Sequence, residues 1–415
     1  MFCCHKNKMY FTWLVLLTAI LTYQVESAKI LGIFWTFSRS QHLTGSALLK
    51  ALAESGHEVH LLSSFDDDAK ISNFKHELLE GLIVPDTSNL NASMISRMLN
   101  FVPILNRNVE VFWENNAVQK LIKTKPKYDA VIVMSFFNDY VLALPHYLKS
   151  PAIIYSSISS NRVNNKYVGN PNLIYGRDVL TDAPVTNFFG RLSVTCANIM
   201  LTIMEEYILA PSQNEYTKKY LPATPSVGEL IKNVSLVLIN SHFAIEPPRP
   251  YVPNMIQIGG FHSQIIKALP EDLQNYLDSA KYGAVLFSMG TVVKLGLNLR
   301  KEHLDIIMTG LRKIAPIKVL FKSEIEIPTA PRNVLVTKWL PQNGILAHPY
   351  IKIFISHGGL GSTTEAVYHG VPVLGIPFFS DQKTNIASVA RAGFAISLKY
   401  DEMTQKLSTQ PSENC

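Results

Sequence analysis

The sequence predicts an α/β fold with two domains, each built on a parallel sheet, that face each other across a cleft. Apolar runs alternate with amphipathic runs from Lys29 onwards, the alternation stops at a proline-rich segment, and it then restarts. Such alternation is typical of a parallel sheet covered by helices on both faces. A chain of 415 residues is also long for one domain and natural for two of this type.

The first half opens with a predicted strand and an amphipathic helix, and further apolar runs bounded by turn residues follow. The predicted elements are a strand at Ile30–Phe37, a helix at Leu43–Glu54, and strands at Val59–Ser63, Ala130–Met134 and Ala152–Ser156. We therefore expect residues 29–243 to form a Rossmann-like domain.

Residues 244–260 are predicted to link the halves, because their first ten residues, AIEPPRPYVP, contain four prolines and cannot form a helix or a central strand. The alternation restarts over residues 261–400, which we expect to form a second Rossmann-like domain, and residues 401–415 are a polar tail. The predicted strands of this half are Ala284–Ser288, Lys318–Phe321, Val334–Thr337, Ile351–Ile355 and Val371–Ile376.

Residues 1–28 are typical of a secretory signal peptide. An apolar stretch at residues 10–22 follows Lys6 and Lys8, and the small residues Ser27 and Ala28 come after it. A membrane anchor is the less favoured interpretation, since about 20 apolar residues are needed to span a bilayer. We expect no transmembrane helix in the mature chain.

The remaining composition excludes several classes of protein. Hydrophobic residues make up 47% of the chain and charged residues 17%, which argues against disorder. The net charge of +6 is dispersed and contains no basic run, so we expect no nucleic-acid partner. Cleavage of the signal would leave Cys196 and Cys415, too few for a disulfide framework. Asn91 and Asn233 begin glycosylation sequons, so a glycoprotein is expected.

The most informative stretch is residues 354–382, FISHGGLGSTTEAVYHGVPVLGIPFFSDQ. A strand runs into Ser356-His357-Gly358-Gly359, and a helix-compatible run follows from Gly361 to His369. A glycine turn at a helix N-terminus binds phosphate, because the backbone can approach closely and the first N–H groups are unpaired. A second apolar strand then ends before Asp381-Gln382.

This stretch and Trp339-Leu340-Pro341-Gln342-Asn343 closely resemble the donor-binding signature of UDP-glycosyltransferases, in particular the insect-like branch of microsomal detoxification enzymes. The turns at Gly56-His57-Glu58-Val59 and Phe287-Ser288-Met289-Gly290-Thr291 extend the resemblance over nearly the whole chain. The resemblance implies the GT-B fold and an inverting hexosyltransferase of the endoplasmic reticulum lumen. It would transfer glucose or glucuronic acid from a UDP-sugar to a hydroxyl of a small lipophilic acceptor.

The resemblance also implies roles for the donor residues. Trp339 would lie against the uracil ring, Gln342 would bond to the nucleotide, and Glu365 would reach the ribose hydroxyls. Asp381 and Gln382 would hold hydroxyls of the sugar. The remaining residues would surround the diphosphate with donors and backbone: Ser288, Gly290, Ser356, His357, Gly358, Gly359, Gly361 and Ser362.

Less specific interpretations compete with these roles. Ser288 and Gly290 also suit an ordinary strand-to-loop turn, Trp339 suits core packing, and Glu365 and Asp381 suit solvated helix ends. One departure is visible, since Gly361 stands where many members carry asparagine. No metal and no cofactor are expected, because the helix N-terminus and His357 take the charge of the leaving diphosphate and the UDP-sugar is a co-substrate.

The resemblance weakens at the catalytic base. The family's mechanism needs a base on the acceptor hydroxyl and an acid that orients it. Counting back from Gly56 places Gln41, which has no accessible pKa, where the family's histidine usually stands. We therefore expect His42 to act as the base, with Asp139 as the orienting acid or as a helix cap. Met134 occupies the position where an acidic residue is common.

Two further interpretations concern the acceptor half. Apolar segments suit a pocket for lipophilic molecules or ordinary helix faces: Met94, Ile95, Met98, Leu99, Phe101, Phe188, Phe189, Met200 and Met204. Asp66-Asp67-Asp68 resembles a metal-binding motif, but we expect a solvated loop, because no other ligands cluster with it.

Two rival functions are weighed. The first is a catalytically impaired relative that binds UDP-sugar or pairs, as a homo- or hetero-oligomer, with a full-length partner. Gln41 and Met134 favour it. So do the C-terminal helices and membrane anchor that the resemblance implies and this sequence does not show, either because it is a short isoform or because the sequence is incomplete. A short isoform without the anchor could also be secreted. The second, a Rossmann dehydrogenase, fails because no Gly-x-Gly-x-x-Gly follows the first strand.

Overall fold

The computed structural model describes residues 27–67, 69–85, 94–172, 187–264, 268–290, 301–378 and 381–399. They form two parallel sheets, one of seven strands from the first half of the chain and one of six strands from the second half. This confirms the predicted pair of parallel sheets. The predicted signal peptide up to residue 26, the sequon at Asn91, Asp68 and the polar tail lie outside the described residues.

The first sheet has the order β3-β2-β1-β4-β5-β6-β7. Its strands are β1 Lys29–Phe34, β2 Glu58–Ser63, β3 Phe74–Leu78, β4 Ala130–Met134, β5 Ala152–Ser156, β6 Val234–Ile239 and β7 Met255–Gln257. Its helices are α1 Arg39–Glu54, α2 Met94–Glu114, α3 Asn116–Thr124, α4 Ala143–Leu148, α5 Arg162–Asn165, α6 Phe188–Ile203, α7 Ala210–Tyr220 and α8 Val227–Ile231. Short 3₁₀ turns lie at Asp139–Leu142 and Phe261–Gln264.

The second sheet has the order β10-β9-β8-β11-β12-β13. Its strands are β8 Ala284–Ser288, β9 Lys318–Lys322, β10 Val334–Thr337, β11 Ile351–Ser356, β12 Val373–Gly375 and β13 Ala395–Ser397. Its helices are α9 Glu271–Asp278, α10 Lys301–Lys313, α11 Gln342–Leu346, α12 Leu360–Tyr368 and α13 Gln382–Arg391.

Apolar clusters cover both faces of the first sheet. Along β1, Leu31 and Ile33 belong to one cluster, and Ile30 and Phe34 belong to another. A strand that is buried on both faces needs a continuous apolar sequence. This is why the sequence predicts β1 although apolar and polar residues do not alternate along it. The second sheet is likewise packed between two clusters.

Several strands were not predicted. The edge strand β3 reads FKHEL and buries only Phe74, so it carries almost no apolar signal. Strand β7 has three residues and directly follows the prolines. Because β7 belongs to the first sheet, the last part of the predicted linker, residues 244–260, is a strand of the first domain.

One helical rod, Phe188–Tyr220, is long and apolar enough to cross a membrane by length and composition, with a mean hydropathy of 1.3 over its most apolar window. The sequence was not expected to contain such a helix after its signal, but the expectation that the mature chain has no transmembrane helix stays a prediction, because the criterion concerns length and composition alone. Pro211 cannot donate a backbone hydrogen bond, and the turns before it, Met204–Leu209, widen to π geometry. Core helices of soluble proteins share this length and composition, so this helical segment is not by itself evidence of a membrane span.

Strand order locates the binding crevices. In the second sheet the chain leaves β8 toward β9 on one side and returns through β11 on the other, and in the first sheet β1 lies between β2 and β4 in the same way. Ligands of open α/β sheets bind beyond the carboxyl ends of the strands at such switch points. The ends of β8 and β11 are therefore the expected donor crevice, and the ends of β1 and β4 the expected acceptor crevice.

Candidate active site

His357 is clamped between two glycines at the switch point of the second sheet. It follows the last residue of β11 and is buried. A Cβ added to Gly290 would stand 2.5 Å from its Cε1, and one added to Gly359 would stand 2.7 Å from its Nε2. The turn after β8 and the start of α12 therefore fix the imidazole from both sides, and a side chain at either glycine would displace it.

The imidazole is neutral at pH 7. Burial, together with the positive charge of Lys322, lowers the pKa of His357 to about 4. Its Nδ1 is buried and has no hydrogen-bond partner among the described residues. A neutral imidazole carries one N–H, so His357 can donate one hydrogen bond to an anion but supplies no positive charge.

Lys322 is a residue of this site that the sequence reasoning missed. It is buried at the carboxyl end of β9, and its Nζ donates to the backbone oxygen of Gly290 at 2.8 Å and lies 2.6 Å from Glu324 Oε1. It thus holds the turn that clamps His357 and places a positive charge near it. The sequence did carry a signal, since Lys322 directly follows the apolar run Val319–Phe321.

The N-terminus of α12 carries no side-chain cap. Gly359 is the N-cap residue and has extended backbone angles. The helix is preceded by Gly358, which has a φ of +87°, and a Cβ added there would stand 2.4 Å from Ile386 Cγ1, so both observations favour glycine. Uncapped first-turn N–H groups are available to an anion, as the resemblance implies for the diphosphate.

The two serines at the strand ends hold turns. Ser288 Oγ accepts from the N–H of Gly290 at 3.4 Å, and Ser356 Oγ accepts from the N–H of Gly358 at 3.2 Å. Both side chains are buried. The ordinary turn role that was weighed for Ser288 is therefore present in the structure, and both serines shape the glycine turns that would cradle a phosphate.

Glu365, Gln342 and Ser362 form one hydrogen-bonded group beside the helix N-terminus. Gln342 Nε2 donates to Glu365 Oε2 at 2.6 Å and to Ser362 Oγ at 3.1 Å. Burial raises the pKa of Glu365 to about 7, against the hydrogen bond from Gln342, which lowers it. The carboxyl group is thus not a solvated helix-end charge, and it is poised to accept from hydroxyl groups.

Trp339 lies on the loop after β10 and is 53% exposed, so it does not pack in the core. Its exposed ring is free to stack on a planar base. Asp381 accepts from Asn385 Nδ2 at 2.7 Å, and that same amide donates to the backbone oxygen of Gly358 at 3.0 Å. Asp381 is thereby tied to the glycine turn.

Gln382 is buried, and its Oε1 accepts from the N–H of Phe378 at 2.9 Å. This contact holds the segment between β12 and α13. The side-chain oxygen that the resemblance assigned to a sugar hydroxyl is therefore engaged with the backbone in this structure.

Gly361 lies on the side of α12 that faces the first domain. The nearest heavy atom to a Cβ added there is Thr44 Cγ2, at 4.0 Å. Thr44 belongs to the first turns of α1, and its hydroxyl donates to the backbone oxygen of Gln41 at 2.9 Å. The start of α1 therefore lies across from the start of α12, and Gln41 is on the side of α1 that faces the donor crevice.

His42 does not face this crevice. It is 1% exposed on the buried side of α1, and its Nε2 lies 3.7 Å from Asp67 Oδ2. Burial lowers its pKa to about 4, although Asp67 opposes that shift. A one-residue step along a helix turns the side chain by about 100°, so His42 cannot replace Gln41 at the crevice without rotating α1.

The structure contradicts a second expectation, which concerned the environment of Asp67. It was expected in a solvated loop, but its side chain is buried, pairs with Lys50 at 2.7 Å and accepts from Ser46. The charge of Lys50 and the hydroxyl of Ser46 lower the pKa of Asp67 against its burial. Among the described residues no cluster of three or more His, Cys, Asp or Glu side chains could hold a metal ion.

Asp139 is also separated from His42. Its Oδ2 lies 2.5 Å from Lys166 Nζ, and its Oδ1 accepts from the hydroxyl of Tyr167 at 2.5 Å. It begins a 3₁₀ turn without capping it. The structure therefore brings together the predicted donor residues but not the predicted catalytic pair, and Asp139 serves a buried ion pair instead.

Comparison with known proteins agrees with this geometry. A solved structure of Phytolacca americana UGT2, complexed with UDP-2fluoro-glucose and pterostilbene, shares the fold, with a TM-score of 0.54, 17% identity, and coverage of 90% of this chain and 86% of that one. The two parallel sheets therefore have the arrangement of the GT-B fold.

The family model "UDP-glucoronosyl and UDP-glucosyl transferase" matches residues 46–409. The chain is 31% identical over 411 residues to UDP-glycosyltransferase UGT5 of Dactylopius coccus, covering 95% of this chain and 78% of that one. It is 38% identical over 193 residues to human UDP-glucuronosyltransferase 2A2, covering 46% and 35%. The protein belongs to the UDP-glycosyltransferase family and is an enzyme of sugar transfer.

The clamp on His357 gives a direct prediction. Gly359→Ala is expected to weaken UDP binding about tenfold, because the new Cβ forces the imidazole out of place and costs roughly one hydrogen bond to a charged group. Gly310→Ala is the matched control, since this glycine lies on α10 outside the donor crevice and a Cβ added there meets nothing within 4 Å. Isothermal titration calorimetry on both variants measures this, and equal UDP affinities would contradict the clamp.

Proposed function

We propose that this enzyme transfers glucose or glucuronic acid from its UDP-sugar to a hydroxyl of a small lipophilic acceptor, with inversion at the anomeric carbon. The observation that carries the proposal is the grouping of His357, Glu365 and Gln342 at one uncapped helix N-terminus. Donors for a diphosphate and an acceptor for ribose hydroxyls lie together there.

In the proposed reaction, the acceptor oxygen attacks the anomeric carbon from the face opposite the UDP. The bond from that carbon to the diphosphate oxygen breaks, and UDP leaves with the electron pair. The hydroxyl proton passes to water as the new bond forms, because Gln41 is an amide and cannot accept it. The N–H of His357 and the first N–H groups of α12 would stabilise the charge that develops on the leaving diphosphate.

A cluster of phenylalanines supports a lipophilic acceptor. Phe37 follows β1, Phe136 and Phe137 follow β4, and their rings meet edge to face with Phe101 from α2 at centroid distances between 5.4 and 6.4 Å. They lie at the expected acceptor crevice and are partly exposed.

Backbone strain falls at the same place. Phe137 has a φ of +52°, which a residue of this size rarely adopts. Asn138 holds the loop, with its Nδ2 donating to the backbone oxygen of Met134 at 2.9 Å and its Oδ1 accepting from the N–H of Phe136 at 2.7 Å. Strained residues held by their surroundings cluster at binding sites, which supports an acceptor site here.

The proposal includes entry into the secretory pathway and glycosylation. It rests on the apolar segment at residues 10–22 and on Asn233, which is exposed and directly precedes β6. Microsomes from expressing cells, treated with an endoglycosidase, should show a protein that loses mass. A protein of unchanged mass in the cytosolic fraction would contradict this.

Binding of UDP tests the donor site. Glu365→Ala and His357→Ala are each expected to weaken UDP binding by about 1–3 kcal/mol, the usual cost of losing a hydrogen bond to a charged or buried partner. His348→Ala is the control, because this buried histidine precedes β11 at the opposite edge of the sheet. Calorimetry that finds no UDP binding by folded wild type, or wild-type affinity in both variants, would refute the donor site.

The impaired relative remains the alternative function, and Gln41 at the crevice is the observation that favours it. Both functions require binding of UDP, and they differ in whether the sugar is transferred to an acceptor. Detection of a glycoside from UDP-glucose or UDP-glucuronic acid and a phenol supports the enzyme. UDP binding without any product on a panel of phenols would favour the alternative.

A further inference from the structure

His262 lies where the chain passes from the first sheet to the second. It belongs to the 3₁₀ turn Phe261–Gln264, which follows β7 and Gly259-Gly260. The preceding residue, Phe261, packs against the apolar cluster of the first domain. The turn itself contacts both α1 and α12. A linker residue is therefore placed against the helix that carries Glu365.

The imidazole of His262 is buried without a hydrogen-bond partner. Its side chain is 8% exposed, and neither ring nitrogen has a partner among the described residues. Leaving one buried polar group unpaired costs about 1–3 kcal/mol. A buried polar group without a partner in a native structure needs an explanation. One explanation is that the group forms its hydrogen bond only when a ligand binds.

The nearest carboxylate to this imidazole is Glu365, with 3.7 Å between Nε2 and Oε1. The other oxygen of Glu365 accepts from Gln342, so Oε1 is the one that faces His262. A shift of about 0.8 Å would bring the pair to ordinary hydrogen-bond length. Side-chain motion of this size is small compared with the rearrangements common at binding sites.

The backbone around His262 is already attached to the donor signature. Asn343 Nδ2 donates to the backbone oxygens of His262 and Ser263 at 3.5 and 3.3 Å, and Asn343 Oδ1 lies 2.7 Å from His369 Nε2. The linker turn is thus fixed against α11 and α12, and a small movement of the Glu365 side chain is enough to engage the imidazole.

We propose that His262 is a positioning residue that holds Glu365 for the ribose hydroxyls of the bound nucleotide. The proposal deepens the proposed donor site and rests on it. A carboxylate offers about four acceptor positions, so Glu365 can accept from Gln342, from His262 Nε2–H and from two ribose hydroxyls together. Among the described residues only Gln342 donates to this carboxylate, so His262 would supply the second fixed contact.

The protonation states agree with this role. Burial lowers the pKa of His262 to about 4, so the ring is neutral at pH 7 and can carry its proton on Nε2. Burial raises the pKa of Glu365 to about 7. A hydrogen bond from a neutral imidazole favours the ionised carboxylate, which is the form that accepts from two hydroxyls.

The test compares UDP with 2′,3′-dideoxy-UDP, which lacks both ribose hydroxyls. His262→Leu is expected to weaken UDP binding about tenfold and the dideoxy ligand less than twofold, by calorimetry. His262→Gln, which keeps an N–H at similar reach, should recover most of the UDP affinity. His60→Leu is the matched control, because this histidine is also poorly exposed but lies on β2 of the first sheet.

The outcomes separate this role from the donor site itself. If His262→Leu lost the same affinity for both ligands, or lost none for either, the role of His262 would be overturned. The proposed donor site would still stand as long as wild type binds UDP. Wild type that binds no UDP would overturn the proposed function. If His262→Leu does not fold, His262→Asn, whose amide is too short to reach Glu365, should show the same ligand-selective loss, and its absence would overturn the proposal.

Discussion

Replacing Gln41 with histidine is expected to raise the rate of transfer to an aliphatic alcohol by about 10²–10⁴-fold, the range of general-base catalysis. Gln41 lies in the first turn of α1, on the side that faces the donor helix, and its Oε1 accepts from the hydroxyl of Thr36 at 2.5 Å. An amide cannot take a proton at neutral pH. A histidine there would have a pKa near 6.5 unless burial shifts it.

The choice of acceptor isolates the base. A phenol with a pKa near 10 or below forms enough phenolate to react unaided, whereas an aliphatic hydroxyl does not. We therefore expect wild type to prefer acidic phenols, and Gln41→His to gain most on aliphatic alcohols. The variant should also acquire a kcat/KM that falls below about pH 6.5, where the new imidazole is protonated and no longer a base.

Gln41→Asn is the matched control, since it keeps an amide and should gain nothing. The gain is expected at the lower end of the range, because Met134 offers no carboxylate to orient the new imidazole. Strong wild-type activity on an aliphatic alcohol would contradict the prediction. If His42→Gln then abolished that activity in folded protein, His42 would be the base despite its burial.

The fold was predictable because parallel strands buried on both faces leave continuous apolar runs. Strands such as Ala130–Met134 and Ala284–Ser288 were predicted to the residue for this reason. The edge strand β3 was not, because it buries one residue in five positions and carries lysine, histidine and glutamate. Strands at the edge of a sheet are exposed to solvent, so their sequences show little of the apolar pattern that predicts a strand.

The donor site was predictable and the catalytic pair was not, for a physical reason. The residues from Ser356 to Glu365 lie on one strand, one turn and one helix, so their spacing in sequence fixes their spacing in the structure. The pairing of His42 with Asp139 depended on the rotation of α1 and on partners distant in sequence. Asp67 and Lys166, which decide both positions, carry no local signal of that role.

Asp139→Leu is expected to lower the free energy of unfolding by about 3–5 kcal/mol, the cost of removing one partner from a buried ion pair. Asp139 accepts from both Lys166 and Tyr167, and its charge, with that of Glu205, raises the pKa of Lys166 against the burial of that lysine. Without Asp139, the described carboxylate that remains near Lys166 is that of Glu205, at 3.4 Å. Urea denaturation of the two proteins measures the loss.

The double variant Asp139→Leu, Lys166→Met distinguishes an ion pair from a catalytic acid. Removing both charges leaves Glu205 paired with Arg162 at 2.6 Å, so the double variant should recover much of the lost stability. Its UDP affinity should equal that of wild type, because the pair belongs to the first domain. If Asp139 were instead a catalytic acid, Asp139→Leu would unfold at the same urea concentration as wild type but lose transfer activity, and adding Lys166→Met would not restore that activity.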